Sequence, residues 1–238
     1  MRNRVTLVAH SFPFNHDRAS DQLARLGYEI DWRFPFKGDV LGDSPGDIAG
    51  TIVFGGKYCI DDIPKHAFLQ DEIRWLRQCM DVGLPTLGIC QGGQMIAHIL
   101  GAAVGPHPEG VYEYGYYQIT PETDAGDFLP APLHVAQAHF HQFDLPKGSK
   151  LLASSDTYPH QAFQWGDKVF GFQFHPEATR ESIREHWLSQ PWSEENSAQP
   201  NAQSREEFVN LGAVHDEPMD RWFRDFLTRL FGTPEAAA

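Results

Sequence analysis

Short apolar runs alternate with amphipathic segments through the first half of the chain. Residues 5–9, 50–56 and 85–89 are short and apolar, as buried strands are. Between them, apolar residues recur at helical intervals and the segments end at glycines. The helices predicted in this way cover residues 17–27, 66–83 and 91–101. This alternation predicts an α/β fold with a doubly wound, mostly parallel sheet and flanking helices.

The pattern changes in the middle of the chain. Residues 110–123 and 133–146 alternate apolar and polar positions as strands do, and no obvious helix separates them. They predict a small antiparallel extension of the sheet. Residues 168–190 then have the character of a strand, a sharp turn and a helix.

The C-terminal part begins with a polar stretch. Residues 191–207 are rich in Pro, Ser and Asn, which predicts an exposed excursion with weak structure. Residues 219–232 form an amphipathic pattern, and the last four residues, 235–238, are expected to be loose. The apolar residues on one face of this predicted helix are Trp222, Phe223, Phe226, Leu227 and Leu230. We expect one domain over residues 1–190, with residues 191–238 packing on it.

Composition narrows the possible functions. The 238 residues are 41% hydrophobic, enough for one sizeable core, and no apolar run approaches the ~18 residues of a membrane helix. With 19 basic and 32 acidic residues the net charge is −13, which disfavours binding to nucleic acid or to an anionic membrane. The N-terminal apolar run is too short for a signal peptide. Three cysteines make a disulfide framework improbable, so a cytoplasmic protein is expected.

Cys90 lies in the segment LPTLGICQGGQMIAHILG, where a predicted strand becomes a helix among glycines. At such a turn the helix dipole and the first helical N–H groups stabilise a thiolate, as in a nucleophile elbow. The N–H of Gln91 is then placed to donate to an oxyanion. For most cysteines the better explanation is a small thiol filling a tight turn. The spacing of Gly88, Gly92 and Gly93 favours the nucleophile here.

A proton carrier is available in the segment GFQFHPEAT. His175 ends an apolar strand, and Glu177 follows two residues later, where it can orient the imidazole. Since Cys90 also follows a strand of the predicted parallel sheet, both groups are expected at one edge of that sheet.

These residues resemble the class I glutamine amidotransferases of the triad type. The matching motifs, in order, are Gly88-x-Cys90-x-Gly92-x-Gln94 and His175-Pro176-Glu177. The similarity extends from about Val5 to the helix after Glu177, and is greatest to stand-alone members related to the glutaminase domain of GMP synthase. The similarity implies the flavodoxin-like fold of that family and a reaction that needs no cofactor.

The resemblance also implies a reaction. Cys90 would attack the side-chain amide of glutamine, or of another γ-glutamyl compound, and form a γ-glutamyl thioester. His175 would carry the proton, and Glu177 would orient the imidazole of His175. The paired glycines Gly55 and Gly56 resemble the family loop that supplies the second oxyanion donor. Gln94 is expected to line the glutamate pocket.

The chain departs from the family pattern in its middle segment, AHFHQFDLP. His139 occupies the usual histidine position, but His141 stands where an Asp normally holds the substrate's α-amino group. Either another carboxylate, such as Glu113 or Asp144, replaces that Asp, or the substrate's amino end differs. No suitably spaced Cys or carboxylate accompanies these histidines, so no metal site is predicted.

Three functions remain open at this stage. The chain shows neither an ATP-binding P-loop nor a second large domain. It could be an amidotransferase subunit that works with a separate synthetase, or a free-standing γ-glutamyl peptidase or hydrolase. A non-catalytic regulatory domain is the third possibility, and Cys90, His175 and Glu177 argue against it. The sequence does not determine the oligomeric state.

Overall fold

A computed structural model describes residues 2–10 and 17–234. The described residues form a nine-stranded sheet in the order β2-β1-β3-β4-β11-β10-β9-β6-β7 and a two-stranded ribbon of β5 and β8. The strands are β1 (Arg4–Val8), β2 (Glu29–Arg33), β3 (Ile48–Val53), β4 (Thr86–Ile89), β5 (Val104–Pro106), β6 (Glu113–Pro121), β7 (Leu133–His139), β8 (His141–Phe143), β9 (Lys150–Ser154), β10 (Ala162–Trp165) and β11 (Val169–Phe172). The helices are α1 (Arg18–Leu26), α2 (Ala67–Asp81), α3 (Gln91–Ile99), α4 (Arg180–Ser182), α5 (Pro191–Ser197) and α6 (Arg205–Phe231), and a π-helical turn (Ile183–Trp187) continues α4.

The first five strands in this order run parallel. Helices α2 and α3 cover one face of the sheet, and α1 and α6 cover the other, so each face buries its own apolar cluster. This arrangement confirms the predicted α/β class. Because the chain crosses over between parallel strands, the ends of β4 and β11 lie side by side at one edge of the sheet.

The antiparallel extension contains four strands, β10, β9, β6 and β7. Strands β6 and β7 correspond to the two alternating segments of the sequence. Strands β9 and β10 were not predicted, because each is too short to show a clear alternation of apolar and polar residues. Their pairing also shifts register between Ala162 and Phe163. The extension places β7 and its neighbours close to the turn that follows β11.

The prediction of weak structure for residues 191–207 is wrong. Helix α5 begins with Pro191 in its first turn, and α6 begins at Arg205. Ser204 and Glu207 form a capping box, in which the Ser204 hydroxyl accepts the Glu207 N–H and the Glu207 carboxylate accepts the Ser204 N–H. Gln203, just before the cap, hydrogen bonds with the backbone of Tyr116 in β6. Caps and tertiary contacts therefore order a polar segment.

Helix α6 contains the amphipathic segment predicted over 219–232 but begins well before it. Pro218 lies inside the helix without ending it. The predicted apolar face packs on the sheet through Trp222, Phe223, Phe226 and Leu227, while Leu230 is half-buried. The domain boundary at residue 190 stays a prediction, and the expectation for 235–238 concerns residues outside the described part. No helix within 2–10 and 17–234 is long and apolar enough to span a bilayer.

Candidate active site

Cys90 occupies the turn between β4 and α3. Its backbone has φ 51° and ψ −110°, a conformation that non-glycine residues rarely adopt and that costs conformational energy. Its N–H donates to the carbonyl of Phe172 at the end of β11, at 2.8 Å, and its own carbonyl accepts the N–H of Gln94 at 2.9 Å. These contacts hold Cys90, which is 7% exposed, at the N-terminus of α3.

The three glycines around Cys90 permit close packing of the turn. A Cβ at Gly92 would lie 2.0 Å from the carbonyl oxygen of Val53, and a Cβ at Gly93 would lie 2.5 Å from that of Phe172. A Cβ at Gly88 would lie 2.3 Å from the carbonyl oxygen of Gly92. The glycine spacing therefore lets α3 rest directly on β3 and β11, which fixes the position of Cys90.

His175 and Glu177 lie beside Cys90, just beyond the end of β11. The His175 N–H donates to the carbonyl of Ala136 in β7 at 2.8 Å, and its ring packs edge-on against Trp187 with centroids 5.0 Å apart. Its Nδ1 lies 2.8 Å from Oε1 of Glu177. The sulfur of Cys90 is close enough to the imidazole to act on its charge. The structure thus brings these three predicted residues together.

The surroundings of His175 favour its charged form. Burial opposes the charge, but the carboxylate of Glu177, the sulfur of Cys90 and hydrogen bonds to both outweigh it and raise the pKa of His175 from 6.5 to about 10. At neutral pH the imidazole therefore carries a proton and faces the sulfur. A cationic imidazole beside a thiol stabilises the thiolate, which is the nucleophilic form.

The glycine loop after β3 lies over this pair. A Cβ at Gly55 would be 2.6 Å from Cε1 of His175 and 3.1 Å from Cβ of Cys90. A Cβ at Gly56 would be 2.7 Å from Oε1 of Gln91. The first N–H groups of α3, that of Gln91 included, have no partner within the helix. Gly55 thus lies beside Cys90 and Gly56 beside the side chain of Gln91, and the role of these residues as oxyanion donors stays a prediction.

A buried polar cluster that the sequence did not reveal supports this loop. Oε1 of Gln91 accepts the N–H of Tyr58 at 3.0 Å, and Nε2 of Gln91 lies 3.2 Å from Nε2 of His10. The same His10 nitrogen lies 2.6 Å from Oε2 of Glu72, and neither of these side chains is exposed. Glu72 falls on the apolar face of α2, three residues after Leu69, and a carboxylate at such a position was the available signal.

Gln94 reaches Cys90 through a second glutamine. Its Nε2 donates to Oε1 of Gln173 at 3.2 Å, and Nε2 of Gln173 donates to Sγ of Cys90 at 3.8 Å. Gln173 lies two residues before His175 and was not predicted as a site residue. Gln94 itself is buried, and its predicted contact with a glutamate moiety stays a prediction.

Comparison with known proteins identifies the family. The sequence model of the glutamine amidotransferase class-I family matches residues 22–192. The chain belongs to the class I glutamine amidotransferases. The glutamine amidotransferase-like protein YfeJ of Salmonella typhimurium is 33% identical over 66% of this chain and 68% of its own length. A glutamine-hydrolysing GMP synthase subunit of Thermococcus kodakarensis is 38% identical over 41% of this chain and 53% of its own length.

Solved structures of this family agree on the fold of the chain. A glutamine amidotransferase from Thermotoga maritima superposes with a TM-score of 0.85 over 98% of this chain, at 24% identity. One from Methylobacillus flagellatus gives a TM-score of 0.90 over the whole chain, at 23% identity. By contrast, the similarity to the GMP synthase of Campylobacter jejuni covers only 27% of that protein.

The departure from the amidotransferase pattern lies at His139 and His141. Glu113 is buried, with Nε2 of His139 at 3.1 Å, and it accepts hydrogen bonds from Gln161 at 2.7 Å and from Ser155 at 2.7 Å. Both carboxylate oxygens of Glu113 are therefore engaged within the protein. These contacts argue against Glu113 as the replacement for the family's amine-binding Asp, and that replacement stays a hypothesis.

His141 lies half-buried beside Cys59. Its Nε2 is 3.8 Å from Sγ of Cys59, and burial lowers the pKa of His141 although Asp61 and Asp62 act in the opposite direction. The side chain is thus uncharged at neutral pH. Asp61 and Asp62 are the carboxylates that act most strongly on the pKa of His141, and Asp144 is exposed.

Proposed function

We propose that this protein hydrolyses a γ-glutamyl amide, glutamine or a related compound, through a thioester on Cys90. The supporting observation is the convergence of three elements on one thiol. Cys90 lies on a strained turn at a helix N-terminus, the imidazole of His175 lies beside it, and Glu177 lies 2.8 Å from the far nitrogen of His175. This is the arrangement that nucleophilic catalysis by cysteine requires.

The reaction proceeds in two halves. The sulfur of Cys90 attacks the amide carbon, and the oxygen takes up negative charge facing the N–H groups of Gly56 and Gln91. His175 gives its proton to the leaving nitrogen as the C–N bond breaks and the thioester remains. Water then adds to the thioester carbon while His175 takes a proton from it. The C–S bond breaks, glutamate leaves, and Glu177 keeps the imidazole oriented throughout.

The amine released from the substrate has two possible fates. Similarity to the GMP synthase subunit of Thermococcus kodakarensis favours an amidotransferase subunit that passes ammonia to a separate synthetase. A free-standing γ-glutamyl peptidase is the alternative. Glutamine and γ-glutamyl peptides carry the same α-ammonium group, so His141, which stands where the family has an Asp, does not distinguish the two. The proposed catalytic unit is residues 1–190, and the proposed site of action is the cytoplasm.

The deciding experiment measures glutamate release by the purified protein from glutamine and from a panel of γ-glutamyl peptides. Each assay is run before and after alkylation of Cys90, with mass spectrometry identifying the modified cysteine. Turnover that disappears with Cys90 alkylation supports the proposal. Preference for peptides identifies a peptidase, and preference for glutamine identifies an amidotransferase subunit. Turnover that survives complete alkylation of Cys90 contradicts the mechanism.

A further inference from the structure

Arg18, the first residue of α1, holds the turn that carries Glu177. Its backbone N–H donates to the carbonyl of Glu177 at 3.1 Å. Its guanidinium Nη1 donates to the carbonyl of Pro176 at 3.2 Å and also to that of Ala178. One side chain and its own N–H therefore bind three successive carbonyls. The side chain of Arg18 is 3% exposed, so these contacts are shielded from water.

The other edge of the guanidinium faces helix α6. Nη2 of Arg18 lies 2.6 Å from Oδ1 of Asp216, and Nε lies 2.8 Å from Oδ1 of Asp220. The two aspartates are four residues apart, which places them on the same face of the helix. The hydroxyl of Tyr116 donates to Asp216 at 3.1 Å and ties it to β6. A buried cation needs such partners because its desolvation is costly.

These contacts connect the C-terminal helix with the acid–base pair. The turn over residues 176–178 determines where the Glu177 carboxylate meets Nδ1 of His175, and Arg18 contacts every carbonyl of that turn. Arg18, Asp216 and Asp220 all lie outside residues 22–192, the range that the family model matches. The family motif alone therefore does not include the residues that hold its Glu.

We propose that Arg18, Asp216 and Asp220 form a positioning cluster through which helix α6 sets the geometry of the Glu177–His175 pair. The inference rests on the function proposed above, in which that pair manages the proton. The charged groups that act most strongly on His175 are Glu177 and Cys90. The contacts of the cluster reach the turn over residues 176–178, so the cluster changes the chemistry by moving Glu177.

The alternative is that the cluster only fastens α1 to α6. The two roles differ in their consequences for the pH profile. Loss of a fastening lowers stability without changing the pH at which the imidazolium of His175 loses its proton. Loss of positioning weakens the Glu177–His175 contact, so that proton is lost at a lower pH.

The test uses full-length Asp216→Asn, Asp220→Asn and Arg18→Lys. Asp225→Asn is the matched control, because it removes the same charge from an exposed position of the same helix. Iodoacetamide alkylation of Cys90 is followed by mass spectrometry between pH 5 and 10.5, and kcat and KM are measured on the substrate that the panel identifies. Arg18→Lys keeps the charge but cannot contact three carbonyls, so it separates geometry from electrostatics.

Positioning predicts that the alkaline transition in the rate of Cys90 alkylation moves about one pH unit lower in the cluster variants, Arg18→Lys included. It also predicts that kcat drops about 10-fold while KM stays nearly constant, with Asp225→Asn unchanged. A lower melting temperature with the wild-type pH profile and kcat overturns the inference. If a variant does not fold, the single Asp220→Asn decides, since Asp216 then still pairs with Arg18.

The two proposals fail in different ways. A wild-type protein that cleaves no γ-glutamyl compound contradicts the proposed function. The alkylation profile needs no substrate, and a limb that moves in the cluster variants alone still supports positioning of His175.

Discussion

Two of the buried histidine–carboxylate pairs in the described part of the protein look alike but have different surroundings. In His175–Glu177 the nitrogen and oxygen are 2.8 Å apart, and in His139–Glu113 they are 3.1 Å apart. His175 uses its remaining side to meet the thiol of Cys90. In contrast, Nδ1 of His139 lies 3.0 Å from the carbonyl oxygen of His141, so both of its ring nitrogens face oxygen acceptors.

The carboxylates differ as well. Glu113 accepts further hydrogen bonds from Ser155 and Gln161, whereas the contacts of Glu177 to the rest of the protein run mainly through its backbone carbonyl. A histidine with both nitrogens committed to oxygen cannot accept a proton from a nucleophile. In the proposed mechanism, a buried His–Glu pair carries a proton for the reaction only when one imidazole nitrogen faces a reactive atom, as in His175–Glu177.

The largest effect on turnover is expected at the sulfur of Cys90, the atom that His175 faces and His139 does not. Cys90→Ala removes the nucleophile and should reduce turnover by roughly 10⁴-fold or more, while circular dichroism and thermal unfolding stay close to wild type. Cys79→Ala is the control, because burial raises the pKa of the Cys79 thiol to about 12 and α2 holds it within the core. That variant should lose stability but keep its turnover. An active Cys90→Ala protein would contradict the proposed mechanism.

Substitutions of the two glutamates should have intermediate effects that differ between the two pairs. Glu177→Gln removes the negative charge that raises the pKa of His175, so the imidazolium, which persists to about pH 10 in the wild type, should deprotonate at lower pH. We expect kcat to fall roughly 10- to 100-fold and its alkaline limb to move down.

Glu113→Gln should lower the stability of the protein and leave its pH–rate profile unchanged. It breaks a buried hydrogen-bonded pair and should lower the free energy of unfolding by about 1–3 kcal/mol, with the alkaline limb of kcat unmoved. Urea unfolding and pH–rate profiles of both glutamine variants give the comparison. Matching profiles for the two variants would show that the pairs do not differ in the way the contacts indicate.

The smallest effect on turnover is expected at Asp17, the N-cap of α1, whose charge lies near Glu177. Burial, partly offset by hydrogen bonds from Ser20 and reinforced by the charge of Glu177, raises the pKa of Asp17 to about 6. The folded state therefore favours neutral Asp17. This contribution is fully present below pH 3.8 and is lost as the pH rises through about 6.

Asp17→Asn keeps an N-capping side chain and carries no charge at any pH. It should stabilise the protein at pH 7 by about 1–3 kcal/mol, and the gain should shrink towards pH 4. Melting temperatures at the two pH values test this expectation. A gain that is equal at both pH values would mean that the ionisation of Asp17 is not its source.

The sequence by itself determined the features that depend on neighbours along the chain. Two such features are the glycines around Cys90 and the spacing of His175 and Glu177. A tight turn requires glycines near it in the sequence, and a contact between residues i and i+2 involves near neighbours, so both are visible as local patterns. The hydrophobic periodicity likewise predicted the parallel strands and the helices around them. These patterns were sufficient to predict the fold class and the three residues gathered at the site.

Only the tertiary structure decided which distant polar groups meet. His10 and Glu72 are 62 positions apart, and Arg18 and Pro176 are 158 apart, so no spacing rule joins them. The carboxylate of Glu113 is likewise paired across β6 and β7, where strand register sets it opposite His139. Burial makes a polar group seek a partner, but the partner's identity depends on how sheets and helices pack. The chain alone therefore identifies the candidate reacting groups, and the packing identifies the residues that hold them.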